Sequence, residues 1–442
     1  MTTRRSLLKS AAAVGAAFHI VPRHVLGRGF TAPSDMVRLA AIGIGGKGES
    51  DITEMVKAGA SVAALCDVDW RAGKKSFARF PEAKRFKDYR EMLATMGSEI
   101  DAVSVSTPDH THAVATMAAL KLNKPVFTQK PMTRTMHEVK ALVAEAKVRN
   151  VATQMGNQFH AGAGTRIIRE AYEAGLIGEI REIHYWTNRP VWPQGLERPT
   201  DAHNPHPTFD WNLWQGPAAE RPYNPAYAPF RWRGWWDYGT GALGDIGCHA
   251  MDAAFWAFDL RNPSRITPEG SQMFEETAPK QSRVEYTFPA TAKRPTIKVV
   301  WRDGSLWPAK PPELGENDEW PIGEVGGQMW VGSEGAMVAD AYGNSLRILN
   351  PKRHEQWVKS PPKPTYDRSP GAYAEWINAI MGKGPAPLSN FVDYSGPLTE
   401  MVLYGCLAVR SGRSVEVSPA GVITTPLPPE WLHPTYRTGW SL

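Results

Sequence analysis

The sequence has only three cysteines in 442 residues, Cys66, Cys248 and Cys406. They are scattered and odd in number, which excludes a disulfide framework. Neither the cysteines nor any group of histidines and acids has the spacing of metal ligands, so we expect no bound metal.

The sequence also has no dense basic block beyond its N-terminus, and its net charge of +5 is spread along the chain. This distribution argues against nucleic acid as the main partner. No internal repeat is visible. Because 442 residues exceed one ordinary hydrophobic core, we expect two domains.

The first residues resemble a twin-arginine export signal. Paired arginines, two leucines and a lysine occupy residues 3–9, and an alanine-rich stretch follows at 10–21, too short and too weakly apolar to span a membrane. Residues 1–35 are therefore predicted to be an export signal and linker, with the twin-arginine machinery as a partner and the periplasm as the destination. Residues 22–29 contain no alanine-x-alanine site, so a retained signal anchor stays open. The alternative is a basic, disordered start of a cytoplasmic protein.

The most informative segment is a glycine-rich turn between a predicted strand at 37–44 and a predicted helix at 50–58. Asp67 follows nineteen residues after the last glycine, at the end of a second apolar run. Strand, glycine turn, helix, strand and acid stand in the order that a dinucleotide site needs. The residues of the turn expected to contact the dinucleotide are Gly43, Gly45, Gly46, Lys47 and Gly48.

Each part of this segment has a physical task. The first glycine permits the tight turn, the second lets the backbone approach a pyrophosphate, and the third lets helix and strand pack closely. The N-terminus of the helix faces the anion. Asp67 can accept hydrogen bonds from a ribose 2′-hydroxyl and would repel a 2′-phosphate, which favours NAD, while Lys47 and Arg71 leave NADP open.

The pattern after the turn alternates short apolar strands with helical stretches, which is typical of a parallel, doubly wound sheet. We therefore predict an α/β protein with an N-terminal Rossmann domain over residues 36–160. Its predicted strands are 37–44, 61–68, 102–107, 125–130 and 151–156, and its further helices include 111–122 and 135–149.

Residues 161–442 have a different pattern, with several strands in succession, and they predict a C-terminal α/β domain for substrate binding and oligomerisation. Its sheet is expected to be large, open and mostly antiparallel. An open sheet has edges and a face that must be covered, so we expect a homo-oligomer, either a dimer or a tetramer. The predicted elements are helices 165–174, 242–257, 372–381 and 394–411, and strands 179–188, 283–288, 297–301, 328–331, 336–339 and 346–349.

Ligands of a doubly wound sheet bind beyond the carboxyl ends of its strands. The segments that follow the third, fourth and fifth predicted strands, residues 107–112, 128–131 and 156–160, are therefore expected to line the cofactor cleft. His112 is expected there as the start of a helix near the cofactor rather than as a metal ligand beside His110. The predicted cofactor contacts at these ends are Thr107, Pro108, Asp109, His112, Lys130 and Asn157, with Gln158 and His160 beside the substrate.

Three residues are candidates for the chemistry. The Lys130 ammonium can hold a substrate hydroxyl and lower its pKa. Asp245 and His249 are four apart on one predicted helix, so they share a face, and such a pair can take a proton from an alcohol as hydride leaves its carbon. Asp252, three residues further on, is a candidate to steady the imidazole. An ordinary surface pair is the alternative, but glycines at 239, 241, 244 and 247 suggest a close approach to the backbone here.

Tryptophan is unusually frequent, with 17 in all, and eight of them fall between Trp186 and Trp256. Most are expected to pack in the core. Some are expected to form flat apolar platforms under a sugar ring, and Trp192, Trp235 and Trp236 are the candidates for substrate contact.

With the glycine turn, Lys130-Pro131 and the Asp245-x-x-x-His249 pair in hand, the chain resembles the Gfo/Idh/MocA oxidoreductase family from about residue 37 to residue 413. The resemblance implies oxidation or reduction of secondary alcohols of sugars and cyclitols with NAD or NADP, and roles for Lys130, Asp245 and His249. Gln129 departs from the glutamate that many members have before the Lys-Pro pair. The Trp-rich stretch looks like an exported subgroup, and another exported member of the family retains its cofactor.

Three functions follow as hypotheses. The first is an exported NAD(P)-dependent oxidoreductase for a sugar or glycoside, with a tightly bound cofactor, because an exported enzyme cannot draw on the cytoplasmic NAD pool. The second is a glycosidase that oxidises a sugar carbon transiently with bound NAD, eliminates the glycosidic oxygen and returns the hydride. The third is a non-catalytic sugar-binding protein that kept the fold.

Overall fold

The computed structural model describes residues 35–442, and the signal predicted at the N-terminus lies outside the described residues apart from Asp35. The N-terminal part is built on six parallel strands in the order β3-β2-β1-β4-β5-β6, the doubly wound order of a Rossmann domain. Every residue of β4 is buried, as expected of a strand that helices cover on both faces. In chain order the strands are β1 (Val37–Ile42), β2 (Ala60–Cys66), β3 (Lys84–Phe86), β4 (Ala102–Val105), β5 (Val126–Thr128) and β6 (Thr153–Met155).

The helices between these strands largely confirm the predicted alternation. Thr135 begins the last of them with a capping box, since its hydroxyl accepts from Glu138 while the Glu138 carboxylate accepts from the backbone of Thr135. Sequence reasoning missed β3 and the short helices beside it, because two of the three β3 residues are exposed and charged. The helices are α1 (Lys47–Lys57), α2 (Lys74–Arg79), α3 (Tyr89–Met96), α4 (Asp109–Lys121) and α5 (Met136–Arg149).

The second part is built on an eight-stranded sheet in the order β13-β12-β11-β7-β10-β9-β8-β14. Its neighbours are antiparallel except for β7 and β10, so the predicted open, mostly antiparallel sheet is confirmed. Sequence reasoning missed β8, which contains a proline and a glutamate, and β14, which has two residues. The strands are β7 (Ile180–Thr187), β8 (Arg265–Gly270), β9 (Ser282–Phe288), β10 (Ile297–Arg302), β11 (Gly326–Gly332), β12 (Gly335–Asp340), β13 (Arg347–Ile348) and β14 (Val415–Glu416).

One long helix connects the two parts. The helix α12 packs against β8 and β9 of the second sheet and against α5 of the first part, and most of its residues are buried. The predicted helix 242–257 is in fact two helices, α8 and α9, which meet at Met251. The helices of this part are α6 (Ala163–Glu173), α7 (Trp211–Gln215), α8 (Gly241–Ala250), α9 (Asp252–Phe258), α10 (Pro351–Lys359), α11 (Ala372–Ile380), α12 (Gly396–Ser411) and α13 (Pro429–Leu432).

A search for membrane spans among residues 35–442 finds no helix that combines the necessary length with the necessary apolar character.

A buried carboxylate ties the glycine turn to distant parts of the chain. Asp51 on α1 is fully buried, and its Oδ1 accepts from Lys47 Nζ at 2.6 Å and from the Tyr373 hydroxyl at 2.7 Å. Its Oδ2 accepts from Ser106 Oγ and from Gln129 Nε2, both at 2.8 Å. Four donors therefore compensate the desolvation of this charge. The contact also explains why position 129 carries an amide, since a glutamate there would face Asp51 with a second negative charge.

This contact predicts that Gln129→Glu lowers the free energy of unfolding by about 3–5 kcal/mol at neutral pH, because two carboxylates would then meet in a buried site. The loss should shrink at acid pH, where the introduced carboxyl is protonated and can donate to Asp51. Thermal or urea unfolding across pH measures both effects.

The matched control is Gln356→Glu, the same chemical change at an exposed position of α10. It should leave stability within about 0.5 kcal/mol of the original. If both variants behave alike, the Asp51 contact does not matter for stability.

Candidate functional site

A cavity of about 760 Å³ opens at the carboxyl ends of the parallel strands. Its walls come from both parts of the molecule, including the glycine turn, the ends of β2, β4 and β5, the helix α8, and the loop after β7. This is the edge at which ligands of doubly wound sheets bind. The predicted site residues on its wall are Gly43, Gly45, Gly46, Lys47, Asp67, Thr107, Pro108, Asp109, Lys130, Gln158, Trp192, Asp245 and His249.

The glycine turn has the geometry that a dinucleotide needs. Gly43 has φ +76°, and a Cβ there would lie 2.7 Å from the carbonyl oxygen of Ser106. A Cβ on Gly48 would lie 1.9 Å from the Gly43 carbonyl oxygen, so this glycine lets helix and strand pack closely, as predicted. Gly46, by contrast, faces open space, with no atom within 4 Å of an added Cβ. Its backbone is therefore accessible to a ligand in the cavity.

The N-terminus of α1 adds donors to this turn. Gly46 caps the helix and supplies no side-chain hydrogen bond. Gly48 N donates to the carbonyl oxygen of Gly45 at 3.0 Å, so an anion would meet the other N–H groups of the first turn. The pyrophosphate of a dinucleotide suits this place, because the helix N-terminus favours an anion and Gly46 leaves room for it. The turn therefore suits the group that the sequence predicted.

Asp67 lies where an adenosine ribose is expected. Its Oδ2 accepts from Ile44 N at 3.0 Å and its Oδ1 from Asp69 N at 2.9 Å, which fixes the carboxylate at the cavity wall. Burial raises the pKa of Asp67 to about 6, although these N–H groups act in the opposite direction. Each oxygen keeps further acceptor capacity for a ribose hydroxyl.

The two cations that left NADP open are engaged elsewhere. Lys47 Nζ donates to Asp51, and the guanidinium of Arg71 forms a fork with both oxygens of Asp69. A 2′-phosphate would meet the carboxylates of Asp67 and Asp69 without either of these cations. The geometry therefore favours NAD.

Lys130 and Asp245 join the two parts of the molecule at the inner end of the cavity. Lys130 Nζ donates to the backbone oxygen of Asp245 at 2.6 Å and to its Oδ1 at 2.9 Å. The same Oδ1 accepts from Arg233 Nε at 3.3 Å. Burial alone would raise the pKa of Asp245, but the charges of Lys130 and Arg233 bring it down to about 2. Two of the three ammonium donors of Lys130 are thus occupied, which leaves one for a substrate oxygen.

His249 lies beside this pair in an aromatic environment. Its ring meets that of Phe159 edge-on at 5.2 Å and that of Tyr342 at 6.1 Å. Burial, together with the charge of Lys130, holds the pKa of His249 well below its usual value. The imidazole is therefore neutral and able to accept a proton. Its Nδ1 has no hydrogen-bond partner within residues 35–442.

Asp109 is a further acid at the cavity wall. Its Oδ2 accepts from Thr240 Oγ1 at 2.8 Å, immediately before α8. A Cβ on Gly244 would lie 1.9 Å from that hydroxyl oxygen, so one of the predicted close approaches at these glycines is to Thr240. Burial, followed by the nearby charge of Asp245, raises the pKa of Asp109 to about 7.

The structure does not bring His112 to the cavity. Its Nδ1 lies 2.8 Å from the carbonyl oxygen of Pro131, and its Nε2 lies 2.8 Å from that of Thr107. The ring is buried beneath the loops that follow β4 and β5 and connects them. His112 therefore helps to position Lys130 through its contact with the next residue, Pro131, rather than contacting a cofactor itself. Within the described part of the chain, no group of histidines, cysteines and acids could hold a metal ion.

Asn157 and His160 are also turned away from the cavity, towards Asp252. Asp252 accepts from Asn157 Nδ2 at 3.4 Å, pairs with His160 Nδ1 at 3.0 Å, and accepts from the Tyr394 hydroxyl at 2.6 Å. The expectation that Asp252 steadies His249 is therefore wrong. The break at Met251 directs Asp252 into a buried polar cluster that includes Ser389, whose hydroxyl donates to Asn157 at 2.6 Å.

Of the three tryptophans predicted to contact a sugar, one lies at the cavity and two are buried elsewhere. Trp192 lies on the cavity wall, and its Nε1 donates to Gln194 at 3.1 Å. Trp235 is 1% exposed and donates to the carbonyl oxygen of Ala226, so it belongs to the core of the long loop. Trp236 is buried under the guanidinium of Arg410, 5.7 Å from its ring centroid. Neither is available to a sugar in the cavity.

Sequence reasoning missed Arg233 and Tyr342. Phe159 belongs to the segment after β6 that was expected at the cofactor cleft, and it lies on the cavity wall. Arg233 lies in a short 3-10 helix, Arg231–Gly234, and Tyr342 lies in the loop after β12, and no motif in the sequence pointed to either. Only the fold brings them beside Asp245 and His249.

Comparison with known proteins agrees with this geometry. A model described as "Oxidoreductase family, NAD-binding Rossmann fold" matches residues 37–157. A second, described as "Oxidoreductase family, C-terminal alpha/beta domain", matches residues 183–294. Together the two matches cover more than half of the chain, and the first identifies the cofactor of this domain as NAD.

Curated relatives match only in part. Inositol 2-dehydrogenase of Arthrobacter sp. is 27% identical over 166 residues, which are 37% of this chain and 49% of that protein. Levoglucosan dehydrogenase of Pseudarthrobacter phenanthrenivorans is 24% identical over 176 residues, which are 40% of this chain and 37% of that protein. The chain thus spans about half the length, or less, of the curated relatives it matches.

The whole fold recurs among solved structures. The WlbA dehydrogenase from Bordetella pertussis, in complex with NADH and UDP-GlcNAcA, is similar with a TM-score of 0.59 at 16% identity, over 87% of this chain and 99% of that chain. At this identity the likeness shows the architecture alone.

The position of Asp67 predicts that Asp67→Asn weakens NAD binding about tenfold at pH 8 and narrows the preference for NAD over NADP, since the charge that repels a 2′-phosphate is lost. In the unchanged protein, NAD affinity should fall as the pH drops through about 6, where the carboxylate becomes protonated. Titration of both cofactors by NAD(P)H fluorescence between pH 5 and about pH 8 measures this.

The variant should lack the step near pH 6. Asp101→Asn is the matched control, because Asp101 is an acid of the same part of the molecule that pairs with Arg38 and does not line the cavity. An Asp67→Asn protein with unaltered affinity for both cofactors would remove Asp67 from the ribose site.

Proposed function

The chain belongs to the Gfo/Idh/MocA oxidoreductase family, and from that premise we propose that it transfers hydride between NAD and a secondary alcohol or ketone of a sugar, polyol or glycoside. The observation that carries the proposal is the triad at the inner end of the cavity. Lys130 is held by Asp245 with one donor to spare, and a neutral His249 lies beside them on the same wall. These are the groups that alcohol oxidation needs.

Each residue has a separate task in this chemistry. Bound NAD supplies the hydride acceptor when an alcohol is oxidised. The free donor of Lys130 holds the substrate oxygen and stabilises negative charge on it. The imidazole of His249 accepts the hydroxyl proton. Asp245, kept ionised by Lys130 and Arg233, fixes the ammonium in place.

The substrate class rests on the cavity and on the relatives. Trp192 and the half-exposed Phe230 contribute aromatic rings to the cavity lining, a surface suited to the C–H face of a sugar ring. The two relatives are an inositol and a levoglucosan dehydrogenase, both enzymes for polyhydroxylated rings. Gln158 adds an amide for hydroxyl groups.

A substrate panel tests this proposal. The protein is incubated with NAD+ and a series of aldoses, cyclitols and alkyl glycosides, and the absorbance of reduced nicotinamide is followed. Reduction with at least one substrate supports the proposal. Glycoside cleavage without net reduction points instead to the transient-oxidation glycosidase, and sugar binding without either reaction points to a binding protein.

The geometry predicts that Lys130→Ala and His249→Ala each lower kcat roughly 10²-fold or more, because the first removes the donor that stabilises the substrate oxygen and the second removes the proton acceptor. If the two residues act as one unit, the double variant should lose little more than either single variant. Steady-state kinetics of the three variants provides the comparison.

NADH binding should survive in the His249→Ala protein, since His249 comes from the second part. Losses that multiply would show that the two side chains contribute independently, Lys130 by holding the substrate oxygen and His249 by accepting the proton. Near-normal turnover of His249→Ala would remove the histidine from the mechanism.

The proposal extends to export through the twin-arginine route to the periplasm, with NAD already bound and either a cleaved or a retained signal. The paired arginines support it, and they lie outside the described residues. A tightly held, recycled cofactor follows from this location, and so purified protein should carry NAD(H) through gel filtration. The homo-oligomer, a dimer or a tetramer, stays a prediction, as do the domain boundaries 36–160 and 161–442.

Export through this route predicts that replacing Arg4 and Arg5 together with lysine retains the folded precursor in the cytoplasm, because the machinery reads the arginine pair. Cell fractionation with a bacterial host that has the twin-arginine system measures the exported share. Undiminished export of the double variant would contradict the route, and the same variant in a host without the system is the control.

A further inference from the structure

The NAD site has walls that lie outside the segment matched by the NAD-binding family model. Phe209, Leu213, Trp214 and Trp440 line the same cavity as Asp67. The matched segment ends at residue 157, and the second matched segment ends at residue 294, so neither contains Trp440.

The first of these walls is paired with the strand end that carries Asp67. Phe209 forms an antiparallel bridge with Asp69, and Asp210 N donates to the carbonyl oxygen of Val68 at 2.9 Å. The side chain of Asp210 then caps α7 by accepting from Leu213 N at 2.9 Å. The segment 209–214 is therefore fixed over the ribose end of the cavity.

The second wall comes from residues 437–440. The ring of Trp440 lies under the guanidinium of Arg90, at 4.3 Å, and its centroid is 6.2 Å from that of Tyr89. Arg90 Nη1 also donates to the carbonyl oxygen of Gly439 at 3.1 Å. Trp440 is thus held beside α3, next to the cavity-lining residues Lys87 and Tyr89.

Arg437 joins the two walls. Its Nη1 donates to Asn212 Oδ1 at 2.6 Å, its Nη2 to the Asn212 carbonyl oxygen at 2.7 Å, and its Nε to that of Gly216 at 3.1 Å. Its backbone N–H donates to Pro217 at 3.1 Å. One arginine thereby closes a clasp, which we define as residues 209–217 together with 437–440.

We propose that this clasp forms the adenine end of the NAD site and that the dinucleotide leaves only when the clasp opens. Asp67 fixes the place of the adenosine ribose, and the purine attached to that ribose then lies against the aromatic rings of the clasp. A flat purine gains from such ring faces independently of any charge. The inference goes beyond the proposed oxidoreductase activity and does not depend on the substrate.

The clasp also supplies a structural cause for the tightly bound cofactor that export requires. Opening it breaks the hydrogen bonds of Arg437 and the Arg90–Trp440 contact before the ligand can dissociate. The clasp should therefore slow the dissociation of NAD more than it changes the rate of association.

The test is a displacement experiment on the full chain. Protein loaded with NADH is mixed with excess NAD+, and the loss of bound NADH fluorescence gives the dissociation rate. Trp440→Ala and Arg437→Ala should each raise this rate roughly tenfold or more. Trp440→Phe, which keeps a ring, should stay near the original rate.

Trp431→Ala is the matched control, since Trp431 lies on α13 close by in sequence, stacks on Arg410 at 4.4 Å and does not line the NAD cavity. It should release NADH at the original rate. Two fragments of NAD separate a local effect from a general one. Trp440→Ala should weaken the binding of ADP-ribose and leave the binding of nicotinamide mononucleotide unchanged.

Release of NADH from Trp440→Ala and Arg437→Ala at the original rate would overturn the proposal. Equal weakening of both fragments would overturn it as well, because that pattern indicates general unfolding rather than an adenine site. The NADH readout needs no turnover, so a failed substrate panel would leave the outcome interpretable.

Discussion

The buried carboxylate of Asp51 is the constraint on which the cofactor half of the site depends. Its four donors come from the glycine turn, from the ends of β4 and β5, and from α11 more than 300 residues along the chain. A charge in a dry interior is stable only while its partners stay in place. The carboxylate therefore holds the glycine turn and the strand ends in register with each other, and it commits Gln129, next to Lys130, to a structural task.

A second pairing, between Lys130 and Asp245, holds in place the part of the site where the substrate is expected to react. Lys130 follows a strand of the parallel sheet, whereas Asp245 lies on α8 of the other part, and their contact is almost buried. The pair orients the ammonium where a substrate oxygen can reach it. His249, one turn further along α8, is desolvated by Phe159 and Tyr342 and stays neutral. One short helix thus supplies an ionised acid and an uncharged base within a single turn.

The buried cluster around Asp252 joins the two parts of the molecule. Asp252 begins α9 and pairs with His160, while Asn157 and Tyr394 complete the cluster. These contacts connect the end of the parallel sheet to the helices beneath the second sheet. The polar residues predicted to bind ligands here instead fix the two parts of the molecule to each other, which in turn helps to fix Lys130 relative to Asp245 and His249.

The sequence alone determined the doubly wound sheet, the glycine turn, Asp67, Lys130 and the Asp245–His249 pair, because each depends on spacing within one or two adjacent elements. Glycine positions, strand–helix alternation and an i, i+4 pair are local patterns. The tertiary structure decided the rest. Arg233, Tyr342 and Trp440 reach the cavity from segments that carry no motif, while His112, Asn157 and His160 turn from it to satisfy buried partners. Whether a polar residue faces a ligand or the interior depends on partners brought close only by folding, and no local pattern contains that information.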